Sequence, residues 1–141
     1  VYYPDRRLRR GSFRLKSKIY RRIKEYNSKL TFHTKDNLHS EKLSKSFGKI
    51  IINQFRKKNL STHRVSSAVR GYLYRNGKKT LPAILRYSKV PTSVLVEIAN
   101  LNNKHDRRAL LKSSTRQRIA SAISNSVYAN FGRVSGLVAK R

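Results

Sequence analysis

The sequence is poor in residues that build covalent cross-links or reactive sites. Its 141 residues include no cysteine, methionine or tryptophan, only three prolines and only six acidic residues. Without cysteine there is no disulfide framework, no thiolate zinc site and no cysteine nucleophile. The apolar run around residues 50–52 is far shorter than the roughly 20 residues of a transmembrane helix. We therefore expect no membrane span, and because the chain starts at Val1 rather than methionine, we expect proteolytic processing or a fragment.

The acidic residues and histidines are too scattered to predict an active site. The closest acidic pair, Asp36 and Glu41, is spaced at neither i+3 nor i+4, and metal-dependent nucleases need several carboxylates around their ions. The histidines lack the spacing of zinc ligands and no glycine-rich phosphate loop is present; they are His33, His39, His63 and His105. These absences predict that the chain is not an enzyme, with no catalytic residue, no metal site and no cofactor.

Positive charge is the dominant feature of the composition. Lys and Arg number 34 against six acidic residues, for a net charge of +28. These charges occur along the whole chain rather than in one tail, while a hydrophobic content of 38% allows a modest core. Such a molecule needs a polyanion to screen its self-repulsion, so we expect most of its surface to face nucleic acid.

The apolar spacing predicts an all-α fold of five to six amphipathic helices. We expect a basic N-terminal arm over residues 1–11, a helical nucleic-acid-binding domain over residues 12–132 and a basic tail over residues 133–141. The first helix would begin near Ser12 and the second near Ser40, each with apolar residues three or four positions apart on one face and cations on another. Ser61 or Thr62 would begin a third helix that ends at Asn76-Gly77.

The second half of the chain continues the helical pattern. A short helix is expected over residues 83–89, ended by Pro91. Residues 92–101 fit a helix, although the run at 94–96 also fits a strand. Residues 107–131 predict one broken or two joined helices, with Gly132 as the stop.

Arg and Lys on the polar helix faces are the candidate binding residues. Arg binds phosphate through a planar fork and Lys as a point charge, so repeated cationic faces predict affinity without sequence specificity. Tyrosines among these charges could stack on bases, although Tyr26 and Tyr72 lie on apolar faces and favour core packing. The predicted nucleic-acid-binding residues are Arg6, Arg7, Arg9, Arg10, Arg14, Lys18, Arg21, Lys42, Lys45, Lys49, Arg56, Arg64, Arg70, Arg75, Lys78 and Lys79.

The charge also sets a scale for the partner. Duplex DNA carries one charge per roughly 1.7 Å, so the net charge of one chain would match about 14 base pairs. That ratio is typical of a packaging protein rather than of a regulator that reads one site.

Residues 40–102 resemble the helical major coat proteins of filamentous and rod-shaped archaeal viruses. The resemblance rests on size, on the Tyr and small residues of 65–74, and on the stretch from Pro91-Thr92-Ser93-Val94-Leu95 to Asn100-Leu101. It implies a homodimer or heterodimer with a second coat protein that wraps double-stranded DNA, held in A-form, inside a helical virion. On this basis the predicted function is a DNA-packaging coat protein located in the virion.

Two alternatives remain at this point. Residues 60–70 look like the start of the third helix of a histone fold, but too little chain precedes them for the long central helix. Asn76-Gly77-Lys78-Lys79-Thr80 looks like a ribosomal protein loop, so a divergent organellar ribosomal protein that binds rRNA is the main rival. It predicts RNA contact and a single copy per ribosome.

Overall fold

The fold combines two long helices with two small antiparallel sheets. The computed structural model describes residues 1–14, 29–63 and 68–138. Along the chain the elements are a 3-10 turn at Arg6–Leu8, β1 (Gly11–Arg14), β2 (Lys29–Phe32), α1 (Thr34–Lys57), β3 (Leu73–Arg75), β4 (Lys78–Thr80), α2 (Ala83–Arg86), α3 (Lys104–Leu111) and α4 (Ser113–Val138). No helix in these described ranges is both long and apolar enough to cross a membrane.

The core lies where α1 packs against α4. From α1 it takes Phe47, Ile51 and Phe55, spaced four residues apart so that they share one face, and from α4 it takes Ile119 and Ala122. Ala122 is fully buried, and its small side chain lets the two helix backbones approach. The predictions of a helix over the 40s and 50s and of two joined helices after residue 106 are confirmed, although α1 begins earlier, at Thr34, and α4 runs through Gly132 to Val138.

The start of the first predicted helix, near Ser12, is wrong, because these residues form a strand. Residues 11–14 form β1, which pairs antiparallel with β2 in the register Gly11↔Phe32 to Arg14↔Lys29. Gly11 has a φ of 87°, a conformation that starts the strand and that a side chain at this position would oppose. The remainder of that predicted helix, residues 15–26, lies outside the described residues.

The predicted third helix is wrong in its described part, residues 61–63 and 68–76, because its expected stop is a hairpin turn; residues 64–67 lie outside the described residues. Asn76 and Gly77 have φ of 50° and 72°, the pair of positive values that a type I′ turn requires. The turn joins β3 to β4, with Leu73 opposite Thr80 and Tyr74 opposite Lys79. An Asn-Gly pair fits both a helix end and a hairpin, and here the short strands flanking it decide the outcome.

The prediction of an all-α fold is therefore wrong. Among the described residues there are four α-helices and two two-stranded sheets, so the fold is mixed α and β. The short helix predicted at residues 83–89 is confirmed as α2, one turn long. Residues 92–101 form neither a helix nor a regular strand, apart from a single bridge at Leu95.

An extended segment at residues 1–3 ties distant parts of the chain together. Tyr2 exchanges backbone hydrogen bonds with Leu95, at 2.8 and 2.9 Å. On its other edge, Tyr3 N–H donates to Arg70 O and Arg70 N–H donates to Val1 O, each at 2.9 Å. Since side chains alternate along an extended chain, Tyr2 and Tyr3 point to opposite sides of this segment.

Candidate functional site

A cleft of about 400 Å³ lies beside the extended segment. Its walls come from residues 1–2, the second half of α1, residues 61–63 and residues 96–100. Ile51 and Phe55 form an apolar floor, because these two core residues of α1 also line the cleft. Ala68, Arg70 and Asp106 also line the cleft, which therefore joins the first residues of the chain to α1, to residues soon after α1 and to residues around Glu97.

Three carboxyl or imidazole side chains line this cleft, together with the N-terminal amine of Val1, which donates a hydrogen bond of 2.8 Å to Ala68 O. The side chains are those of His63, Glu97 and Asp106, and the cation of Arg70 lies among them. Glu97 and His63 are exposed. Asp106 is half-buried, and its Oδ2 accepts a hydrogen bond of 2.8 Å from the backbone N–H of Asn100, so it shapes the wall. Sequence reasoning missed this constellation because its residues are widely spaced along the chain and share no periodic pattern.

The acidic and histidine side chains do not form a metal centre in the described part of the chain. No three of them come together as ligands there. A catalytic zinc ion needs three protein ligands and an open position for water. The residues that the structure describes therefore do not fit such an ion, and the cleft offers acid–base groups instead.

A second recess is less suited to chemistry. It is a shallow groove where α1 meets Ala129 of α4, and its described lining is apolar, amide or cationic, with Arg56 and Lys57 at its rim. It offers no carboxylate or imidazole among those lining residues.

The predicted cationic residues are scattered over several surfaces. Lys42, Lys45, Lys49 and Arg56 lie exposed along α1, and Arg75, Lys78 and Lys79 lie exposed on the β3–β4 hairpin. Arg6, Arg7 and Arg10 are exposed near β1, and Arg70 is half-buried at the cleft. Lys18, Arg21, Arg64 and the side chain of Arg14 lie outside the described residues. The structure thus brings together only parts of the predicted set.

Arg9 departs from the expectation that it faces a ligand. Its residue is 3% exposed, and its guanidinium donates to Ser40 Oγ at 3.2 Å and to Ser88 O at 2.6 Å while lying 4.6 Å from the centre of the Phe32 ring. Burial lowers the pKa of this guanidinium. The sequence pattern could not reveal this, because a buried and an exposed arginine look alike in a basic arm.

Asp5 organises the exposed cations next to it. Its carboxylate accepts hydrogen bonds from the Arg7 backbone N–H at 2.8 Å and from Arg7 Nε and Nη2 at 3.1 and 2.8 Å. Burial of the carboxyl group opposes its ionisation, but the hydrogen bonds from Arg7 outweigh that effect and hold the pKa of Asp5 below its ordinary value.

This arrangement predicts a pH-dependent contribution to stability. Since the folded-state pKa is lowered, the contribution is complete above the unfolded pKa of about 4 and is lost as the pH falls through the folded value. We expect Asp5→Asn to lower the free energy of unfolding by about 1–3 kcal/mol at pH 7. The difference from the unsubstituted protein should shrink below pH 4 in urea titrations, and a difference that stays constant down to pH 2 would contradict this assignment.

Comparison with known proteins identifies a related family. The family model described as N-acetylmuramoyl-L-alanine amidase matches residues 2–129. No curated protein and no solved structure matches the chain.

The family match corrects the functional expectations drawn from charge. The resemblance to archaeal viral coat proteins is wrong, as are the DNA-packaging function and the ribosomal alternative, because the match is to a family of cell-wall hydrolases. The expectations of a non-enzyme, of nucleic acid or a second coat protein as partner, and of location in a virion or ribosome fail for the same reason. High positive charge indicates an affinity for polyanions in general, and it does not identify which polyanion.

Proposed function

Because this chain belongs to the N-acetylmuramoyl-L-alanine amidase family, we propose that it acts on peptidoglycan and hydrolyses the amide bond between the N-acetylmuramoyl group and L-alanine. The supporting observation is the family match itself, which spans residues 2–129 and includes the cleft from Tyr2 to Asp106. We place the substrate in this cleft because it joins an apolar floor to carboxylate, imidazole and guanidinium groups.

The reaction adds one water molecule across the amide. The water oxygen bonds to the carbonyl carbon, the C–N bond breaks, and the products are a muramoyl carboxylate and an alanine amine. In our proposal the Glu97 carboxylate accepts a proton from the attacking water and returns it to the leaving nitrogen. The Arg70 guanidinium stabilises the negative charge that develops on the carbonyl oxygen.

Glu97 is the preferred base for a structural reason. It is exposed to the cleft, whereas Asp106 is half-buried and accepts a backbone hydrogen bond. We derive no step through a metal ion, since the described acidic and histidine side chains do not gather as ligands. Hydrolysis is accordingly expected to persist in the presence of EDTA.

The test measures new amino groups released from purified peptidoglycan. We expect the unsubstituted protein to release alanine amino termini, and Glu97→Gln to lower the rate about 100-fold, the contribution of a general base. Asp36→Asn is the matched control, because Asp36 is also exposed but lies in the first turn of α1, outside the cleft lining. It should leave the rate unchanged.

The possible results test the hydrolytic function, the absence of a metal step and the choice of base separately. No amine release by the unsubstituted protein would overturn the hydrolytic function. Loss of activity in EDTA would overturn the metal-independent mechanism. If His63→Gln abolished release while Glu97→Gln did not, the function would stand and the proton would have to be assigned to the imidazole.

A further inference from the structure

A cluster of tyrosines and lysines lies outside the lining of the cleft and includes Tyr3, whose neighbour Tyr2 lines the cleft. We call Tyr3, Tyr72, Tyr74, Lys45 and Lys79 the tyrosine platform. The rings of Tyr72 and Tyr74 meet edge to face, with centroids 5.5 Å apart and planes at 87°. Lys79 Nζ lies 4.6 Å from the centre of the Tyr72 ring, and Lys45 Nζ lies 5.8 Å from that of Tyr3.

The β3–β4 hairpin and Gly71 explain this arrangement. Tyr74 stands directly opposite Lys79 in the strand register, and Tyr72, two residues before Tyr74, projects to the same side. Gly71 lets the Tyr3 ring pack closely, because a Cβ at this position would lie 3.0 Å from Tyr3 Cζ. None of the platform side chains belongs to the lining of the cleft.

The platform leaves one aromatic ring available to a ligand. Tyr72 has a lysine over its face, and the Tyr3 ring is half-buried against Gly71. Tyr74 is 65% exposed, while Tyr72 fixes its orientation from the side. Exposed aromatic rings held rigidly beside polar groups are typical of binding surfaces, since little conformational entropy is lost when a ligand packs on them.

We propose that the tyrosine platform is a second binding site for the glycan strand of peptidoglycan, separate from the cleft; this inference rests on the proposed function. A pyranose ring presents a face of C–H groups that packs on the Tyr74 ring, while its hydroxyl groups bond to the tyrosine hydroxyls. Lys79 and Lys45 supply cations for the carboxylates of the peptide stems. The platform would hold the polymer while the cleft acts on it.

The distribution of charge on the platform fits a glycan strand better than a polymer that binds only through its phosphates. A glycan strand is neutral along its sugar rings and anionic only at its peptide carboxylates, which matches an exposed ring with lysines at its margin. A polymer bound only through phosphates would depend equally on exposed cations elsewhere, such as Lys112 on the linker between α3 and α4.

The experiment measures co-sedimentation with purified insoluble peptidoglycan, using Glu97→Gln as the background so that the polymer is not degraded. We expect Tyr74→Ala to weaken binding about 5- to 10-fold and Lys79→Gln to weaken it about 3-fold. Tyr128→Ala and Lys112→Gln are the matched controls: Tyr128 is 80% exposed on α4 and Lys112 is exposed after α3. Both controls should bind like the background protein.

The results distinguish this inference from the proposed function. If amine release occurs but Tyr74→Ala and Lys79→Gln bind like their controls, the platform is wrong and the amidase function stands. Displacement by duplex DNA as effective as that by soluble glycan fragments would also overturn the platform, since it would show recognition by charge alone. If the background protein does not sediment and the unsubstituted protein releases no amine, both proposals fail. If Tyr74→Ala disturbs the hairpin, the binding of Lys79→Gln still tests the platform.

Discussion

Replacing Ile51 with alanine is expected to lower the free energy of unfolding by about 3 kcal/mol, and the melting temperature by about 10 °C. Ile51 is 2% exposed and lies between Phe47 and Phe55 in the core shared by α1 and α4. Truncation removes three carbon atoms from this contact and leaves a cavity that two long helices cannot close without shifting along their whole length.

Ile84 offers a matched control for this prediction. It is the same residue type in α2, but it is 71% exposed, so Ile84→Ala should change the free energy of unfolding by no more than about 0.5 kcal/mol. Chemical denaturation at pH 7 measures both variants. Equal losses at the two positions would show that the interface between α1 and α4 is not the main source of stability.

The second large effect is expected at Arg9, where two substitutions should differ. Arg9→Ala removes the donors to Ser40 Oγ and Ser88 O and the contact with Phe32, at a cost of about 3 kcal/mol. Arg9→Met keeps the length of the side chain and removes a buried charge. Its cost should be below about 1.5 kcal/mol, because the desolvation penalty of the guanidinium disappears with the charge.

The two Arg9 variants test whether hydrogen bonds stabilise the buried charge. No carboxylate pairs with Arg9 within the described ranges, and its Nε has no partner there. Urea titrations of both variants, with exposed Arg10→Ala as the control, give the answer. If Arg9→Met costs as much as Arg9→Ala, the guanidinium is stabilised by its hydrogen bonds and not merely tolerated.

Periodicity predicted the parts of the fold that are long and amphipathic. The residues Phe47, Ile51 and Phe55 repeat along α1 as a helix requires, and Ile119 and Ala122 do so along α4. Both helices bury a continuous stripe, so local pattern and tertiary packing favour the same structure.

The short strands could not be separated from helix by the same means. Residues 72–75 place Tyr, Leu, Tyr and Arg where a helical stripe could continue, and only three residues on each side of Asn76-Gly77 form the hairpin. In β1, Ser12 fits an N-cap as well as a strand. Elements of three or four residues contain too few positions to show a hydrophobic period. Their secondary structure depends on the strands with which they pair.

The candidate site was still less accessible to sequence reasoning. His63 and Glu97 line one cleft with Tyr2, which pairs with Leu95, while Tyr3 bonds to Arg70. No pattern along the chain encodes that pairing. From the sequence, the binding residues were placed among arginine and lysine, and the acidic residues and histidines were treated as too scattered to form a site.

The extended segment at residues 1–3 also bears on the order in which the molecule folds. Its hydrogen bonds join Tyr2 to Leu95 and Tyr3 to Arg70, so they close long loops whose entropy cost must be met before the contacts form. The hairpin and the individual helices need only local contacts and can form earlier. Tyr2 borders the cleft and Tyr3 belongs to the platform, so we expect both surfaces to be completed late in folding, although the hairpin part of the platform forms earlier, and the cleft only after Asp106 has been synthesised.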